Sequence, residues 1–391
     1  MYDDRDSSDP TFRWVAIWGS GRAVPSGTSV DYYQRVEPNL YMWSIGDDYF
    51  GTYDPSGLSH SSATWVNSPS GLRMDGGGNN GHPEDDFINK LMMNAGGVGF
   101  SDSDWHFEHG YIAATPAVVD ADNDGDADVV YFPVTTTYGS LYDSPTPRPY
   151  YTPEDQIPDV DYKDPGDTWI WKARIDIGDG TAGLDVDIDW CSSAFFDMDS
   201  VLGTLPGVTR TRPPVYYAIT TSWMRDGTLG LYWGTGSPYE RYTGDNGYFF
   251  AVKDETPLLC SEATGITCDG LPGYMELDAG EGLTADPIVW SGVVFFSTYT
   301  PNSTDRCSAG QGRVYGLWYE DCSPAVDWDG DGTEESSTEV DGYPSQVAIS
   351  DEGTIFIGTS DYDQYDQGIM QVSLSSDPLM LTQTMSWMEV F

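Results

Sequence analysis

Two short stretches concentrate more carboxylates than a turn requires. Residues 120–128 read Asp-Ala-Asp-Asn-Asp-Gly-Asp-Ala-Asp, fitting the pattern D-x-D-x-D-G-x-x-D. Five like charges in nine positions repel strongly unless a counter-charge sits among them. A hard divalent cation supplies one, and Ca²⁺ takes about six to eight oxygen ligands. The spacing assigns the roles. Asp120, Asp122 and Asp124 offer side-chain oxygens at positions 1, 3 and 5. Gly125 permits the turn, Asp126 gives its backbone carbonyl, and Asp128 at position 9 closes the shell, directly or through water. Position 12 holds Tyr131 rather than Glu, and the flanks PAVV and VVYF are β-branched. The expectation is a calcium loop inside a β-hairpin, not a helix-flanked EF-hand.

Residues 327–335 repeat the scheme. Asp327, Asp329 and Asp331 are side-chain ligands, Thr333 a carbonyl donor, and Glu335 the ninth-position carboxylate. The flanks read less clearly as strands. The alternative for both stretches is an Asp-Gly turn held by side-chain to backbone hydrogen bonds. Mg²⁺ suits them less well, because it keeps its waters and avoids all-protein cages.

Other constellations are weaker. Residues 185–190, Asp-Val-Asp-Ile-Asp-Trp, alternate like a strand with one polar face. His106, Glu108 and His109 lack a third zinc ligand nearby and read as surface loop. With four His and Asp distributed throughout, Ser/His/Asp triples carry no information, and no catalytic pair stands out.

The elements that must position these loops are strands. The chain has 391 residues, 63 acidic against 17 basic, and a formal net charge of −46. The acidic residues are 48 Asp and 15 Glu. Asp and Gly favour turns and oxygen-ligand loops, whereas Glu and Lys favour helices. The charge argues against nucleic acid and against anionic membrane surfaces. Aromatics at 14% and hydrophobics at 39% supply a core, so the chain is not an acidic disordered tail. No stretch approaches the ~18 apolar residues of a membrane span. The first residues, MYDDRDSSDP, show no signal-peptide pattern.

A unit recurs along the chain: a strand, a turn, a second strand, a loop, a third strand. Strand pairs fall at 115–132, 212–236, 285–300 and 343–360, with third strands at 139–143, 247–254, 312–320 and 368–374. An earlier copy spans 12–21 and 39–46, and 168–178 adds an outer strand. Long insertions are expected at 50–105, 143–167, 179–211 and 321–342. The only helical candidate is 86–94. Such repetition predicts an all-β fold, a β-propeller of about seven irregular blades with long inter-strand insertions. A β-sandwich is the competing architecture. Residues 1–11 read as a flexible N-terminal segment and 12–391 as a single propeller domain. Five Cys are present; the short spacings pair Cys260 with Cys268 and Cys307 with Cys322, leaving Cys191 alone. Disulfides imply an oxidising compartment; the alternative is five reduced thiols.

Several segments resemble one family. TPAVVDADNDGDADVVY resembles the signature hairpin of the C-terminal propeller of PilY/PilC-type proteins, the type IV pilus biogenesis and tip-adhesin family. LTADPIVWSGVVFFSTYTPNSTDRCSAGQGRVYGLWY, LYWGTGSPYE with NGYFFAVKD, and the terminal MSWMEVF resemble later parts of that propeller. The resemblance implies a calcium-binding, non-enzymatic propeller that is exported and acts at the pilus tip or cell surface, after a periplasmic stage. Calcium occupancy there bears on pilus extension and retraction. Partners would be minor pilins or other tip components, with a host or surface receptor reached through an adhesive N-terminal region. Asp120, Asp122, Asp124, Asp126 and Asp128 match the family's calcium positions. The continuation FPVTTTYGSLYD departs from the family pattern, and the loop at 327–335 does not map onto it. The chain also has no adhesive N-terminal region, as expected of an isolated C-terminal domain or a shortened relative.

Two other function classes compete. A quinone-dependent propeller dehydrogenase would share the Gly-Thr strand endings, but its adjacent cysteines and regular Trp motifs are absent from the sequence. An extracellular glycan-binding module could use some of the 14 Trp, 26 Tyr and 14 Phe as stacking surfaces.

Overall fold

The computed structural model describes residues 2–3, 12–19, 40–45, 110–123, 127–136, 168–177, 186–191, 194–208, 212–236, 246–268, 270–302, 310–350, 353–360 and 369–373. Among the described residues the chain is all-β, with antiparallel sheets and almost no helix. It divides into two compact units, Met1–Asp197 with Leu258–Cys260, and Met198–Pro257 with Ser261–Phe391.

In the first unit, β1 (Tyr2–Asp3), β2 (Phe12–Gly19) and β3 (Leu40–Ile45) form one sheet in that order. Tyr2 pairs with Arg13, so part of the segment expected to be flexible joins this sheet. A second sheet contains β4 (Gly110–Tyr111), β5 (Ala117–Val119), β6 (Val129–Thr136), β7 (Thr168–Ile177) and β8 (Val186–Trp190). Its order is β4-β6-β7-β8, with β5 also on β6. Strand β6 is apolar on successive residues, and Val129, Val130, Tyr131 and Phe132 are all buried. Both faces of β6 are therefore covered, as in a layered core. On β7, Trp169, Ile170, Trp171 and Ala173 are buried as well.

In the second unit a single helical turn, α1 (Asp199–Leu202), is followed by β9 (Thr220–Trp223), β10 (Leu229–Gly234) and β11 (Asn246–Asp254). Short strands β12 (Thr264–Gly265), β13 (Thr267–Cys268) and β14 (Leu271–Pro272) come next, then β15 (Tyr274–Ala279). The order is β12-β11-β10-β9, with β15 also on β11, while β13 and β14 pair separately. A further sheet holds β16 (Gly282–Leu283), β17 (Ile288–Trp290), β18 (Val293–Thr300), β19 (Gln311–Trp318) and β20 (Ser337–Asp341). The last sheet is β21 (Ala348–Ile349), β22 (Thr354–Gly358) and β23 (Ile369–Ser373).

The core of this unit is aromatic. Phe296 stacks between Phe249, at 4.1 Å, and Tyr315, at 4.6 Å. A buried carboxylate lies beside this stack. Glu281 accepts hydrogen bonds from Tyr315 Oη (2.9 Å), the Asp278 N–H (2.9 Å), Arg313 Nη1 (3.3 Å) and Thr298 Oγ1. Four donors compensate the loss of hydration that burial imposes on the charge.

The strand-turn-strand-loop-strand repeat is present at β9-β10-β11, β17-β18-β19 and β21-β22-β23. The 115–132 hairpin is β5-β6, but its third strand is β7 rather than 139–143, which lies outside the described residues. The stretch 179–211, expected as an insertion, contains β8 and α1, and 321–342 contains β20. The helical candidate 86–94 lies outside the described residues.

The expected cysteine pairing is corrected. The disulfides are Cys191–Cys260 and Cys268–Cys322, with Cα–Cα distances of 5.2 and 4.8 Å. Short spacing misleads because β12 pairs with β11 between Cys260 and Cys268. Cys268 is drawn into the core beside Cys322, while Cys260 stays exposed. Cys307 lies outside the described residues.

Candidate metal centres

The first acidic loop closes an antiparallel strand pair, and the second closes a single antiparallel bridge, Val326 with Glu335. The first joins β5 to β6, whose register pairs Val119 with Val129. The second is entered through Ala325 and Val326, lying along β19, where the Ala325 N–H donates to Gly316 O (3.1 Å). Gly316 makes that approach possible. A Cβ there would come within 2.6 Å of Val326 Cγ2 and 3.1 Å of Trp328 Cζ2. Val326 and Trp328 are both buried in the second unit's core.

The two loops share their internal bonds. The ninth-position N–H donates to the carbonyl just before the loop, Asp128 to Val119 (2.9 Å) and Glu335 to Val326 (2.8 Å). The second-position N–H donates to the ninth-position carboxylate, Ala121 to Asp128 Oδ2 (2.6 Å) and Trp328 to Glu335 Oε2 (2.9 Å). The fourth position is left-handed in both, with φ of 61° at Asn123 and 79° at Gly330. Asn and Gly are the residues that tolerate this conformation. Sequence reasoning placed the turn at position 6; the signal at position 4 was the Asn or Gly itself. Gly332, at position 6, is also left-handed at φ 93°.

In the second loop Asp327, Asp329, Asp331 and Glu335 each bring one carboxylate oxygen within 4.8 Å of the others. Asp327 and Glu335 are half-buried, while Asp329 and Asp331 are exposed. Asp327 Oδ1 accepts the N–H groups of Gly330 (2.8 Å) and Asp331 (3.1 Å), and Oδ2 accepts Gly332 (2.9 Å). Asp329 Oδ1 accepts Asp331 (3.0 Å) and Asp331 Oδ1 accepts Thr333 (2.8 Å). These are the side-chain to backbone bonds of an Asp-Gly turn, and they coexist with the clustering of the carboxylates.

In the first loop Asp120, Asp122 and Asp128 come together within the same 4.8 Å limit. Asp124 and Asp126 lie outside the described residues. Burial raises the Asp128 carboxyl above the usual carboxylate range, and the Asp122 and Asp120 charges add to the shift; the Ala121 and Asp122 N–H groups oppose it. Two carboxylates 4.8 Å apart repel by about 1 kcal/mol even at the dielectric of water. A divalent cation among them removes that repulsion and replaces it with attraction.

Among the described residues these are the two clusters able to hold a metal. Residues 186–190 form strand β8, as their alternation indicated. His106, Glu108 and His109 lie outside the described residues. No protein-family model matches the chain, and no curated protein or solved structure is significantly similar to it.

Proposed function

We propose that this chain is a calcium-binding, non-enzymatic module of an exported protein associated with type IV pili. Its antiparallel units are read as blades of one propeller. Asp120, Asp122, Asp124, Asp126 and Asp128 hold one Ca²⁺; Asp327, Asp329, Asp331, Thr333 and Glu335 hold a second. The observation that carries the calcium reading is the shared bonding of the two loops. Loops of different sequence share these backbone contacts and gather carboxylate oxygens beside an antiparallel pairing. Hard oxygen donors suit Ca²⁺. The cation neutralises each cluster and stiffens the frame, and it stabilises the fold by linkage. Two disulfides are consistent with an extracellular or periplasmic setting. The pilus assignment rests on the resemblance of the 115–131 hairpin.

Calorimetric titration of the chelator-treated chain tests the calcium reading. Two Ca²⁺ per chain are expected, with Mg²⁺ binding far more weakly; no saturable Ca²⁺ binding refutes it. The pilus reading is tested separately. The gene is deleted in the encoding organism and replaced with Asp120→Ala/Asp327→Ala, and surface pili are counted. Pilus numbers unchanged by the deletion refute that reading.

A further inference from the structure

Outside the two loops lies a buried amine. Lys172 on β7 is 0% exposed. Its Nζ donates to Leu259 O (2.6 Å) and lies 5.7 Å from the ring centroids of both Tyr131 and Phe195. An aromatic face on two sides and a carbonyl on a third make a cage suited to an ammonium. The carbonyl comes from a short stretch, Leu258–Cys260, bound at every residue. Arg174 Nη1 donates to Leu258 O (3.3 Å), Lys172 holds Leu259, and buried Cys191 is bonded to Cys260. The stretch itself faces solvent, with Leu258 45% and Leu259 58% exposed and Cys260 exposed. A fully covered amine therefore lies directly beneath an exposed strap, whose covalent fastener a small reductant can reach.

We propose that Leu258–Cys260 is a disulfide-latched strap and that reduction of Cys191–Cys260 uncovers Lys172 as an acylation site. A small thiol is the reductant. Two thiols become one external disulfide, the Cys191–Cys260 bond breaks, and the two hydrogens end on the Cys191 and Cys260 sulfurs. Hydrogen bonds, those to the Leu258 and Leu259 carbonyls among them, then hold the strap against the entropy of ordering it, without a covalent tie. The strap opens locally while the β6-β7 pair stays formed. An activated acyl donor then reacts with Lys172 Nζ: the N–C bond forms, the leaving group departs with its electron pair, and the amine gives up a proton. The closed strap opposes this step by holding Leu259 O on the nitrogen.

The test uses the whole chain and an N-hydroxysuccinimide ester of acetic acid, with acetylated peptides measured by mass spectrometry. Lys253, whose side chain is 26% exposed, is the internal reference. Cys191→Ser/Cys260→Ser opens the latch without reductant and leaves Cys268–Cys322 in place. The expected result is a rise of at least about tenfold in Lys172 labelling relative to Lys253, both in this variant and in thiol-treated wild type. Hydrogen exchange of the β6 and β7 amides should stay slow throughout. A smaller rise overturns the proposal. So does a rise accompanied by loss of β6-β7 protection, because exposure would then follow from unfolding rather than from a latch.

Discussion

Asp327→Ala probes the second loop most directly, because that carboxylate has a scaffold task and, on the calcium proposal, a cation task. It accepts three backbone N–H groups, at 2.8, 3.1 and 2.9 Å. A carboxylate offers about four lone-pair sites, leaving roughly one for a cation. Each hydrogen bond contributes about 0.5–1 kcal/mol at this partly exposed position, so the scaffold task is worth about 2 kcal/mol. For a unit of this size that lowers Tm by about 4–8 °C, even in chelator. The cation task adds to this. At free Ca²⁺ a hundredfold above Kd, one filled site contributes about 2.7 kcal/mol. Scanning calorimetry of wild type, Asp120→Ala, Asp327→Ala and the double variant, each with EDTA and with Ca²⁺, separates the two tasks. Each single variant should lose part of the calcium increment, and the double variant should lose all of it. A Tm unchanged in EDTA refutes the hydrogen-bond scaffold at Asp327. A double variant that keeps the full calcium increment refutes the cation sites.

Other perturbations test the surrounding structure. The Asp128 carboxyl titrates above its unfolded value, so the cation-free native state holds that proton more tightly than the unfolded chain. Its contribution to stability is full below the ordinary carboxylate pKa and is lost as pH rises through the raised one. Melting curves against pH in EDTA should show this loss, and Asp128→Asn should flatten it. Glu281→Ala leaves Tyr315 and Arg313 without their shared acceptor and should cost about 3 kcal/mol in urea unfolding; Tyr315→Phe should cost about 1 kcal/mol. Phe296→Ala opens a hole between Phe249 and Tyr315 and should cost about 3–5 kcal/mol by the same measurement. Opening Cys268–Cys322, which closes a sequence separation of 54, should cost about 4 kcal/mol on the chain-entropy account; a loss below about 1 kcal/mol would refute that account here.

Much of the candidate site was legible because it is local. Every carboxylate in a nine-residue loop is placed by the backbone of that loop, so spacing alone brought Asp327, Asp329, Asp331 and Glu335 together. Strand positions were legible for a similar reason. Runs such as 129–132 and 293–296 are β-branched and aromatic, and both lie in strands. Some local detail was missed. The left-handed residue at position 4, and the anchoring of the second loop by Val326 and Trp328 above Gly316, depend on how close β19 comes.

The amino-acid sequence by itself determined the all-β class, the positions of most described strands and the gathering of Asp120, Asp122 and Asp128 and of Asp327, Asp329, Asp331 and Glu335. These follow from short-range backbone preference and from neighbours along the chain. The tertiary structure alone decided which cysteines meet, because pairing of β12 with β11 separates Cys260 from Cys268. It alone buried Lys172 under Leu259 and Glu281 beside Tyr315, partners 87 and 34 residues away in sequence. No local pattern encodes such contacts. They arise when sheets stack, and a charge carried into the interior is held by whatever donors and acceptors the fold brings to it.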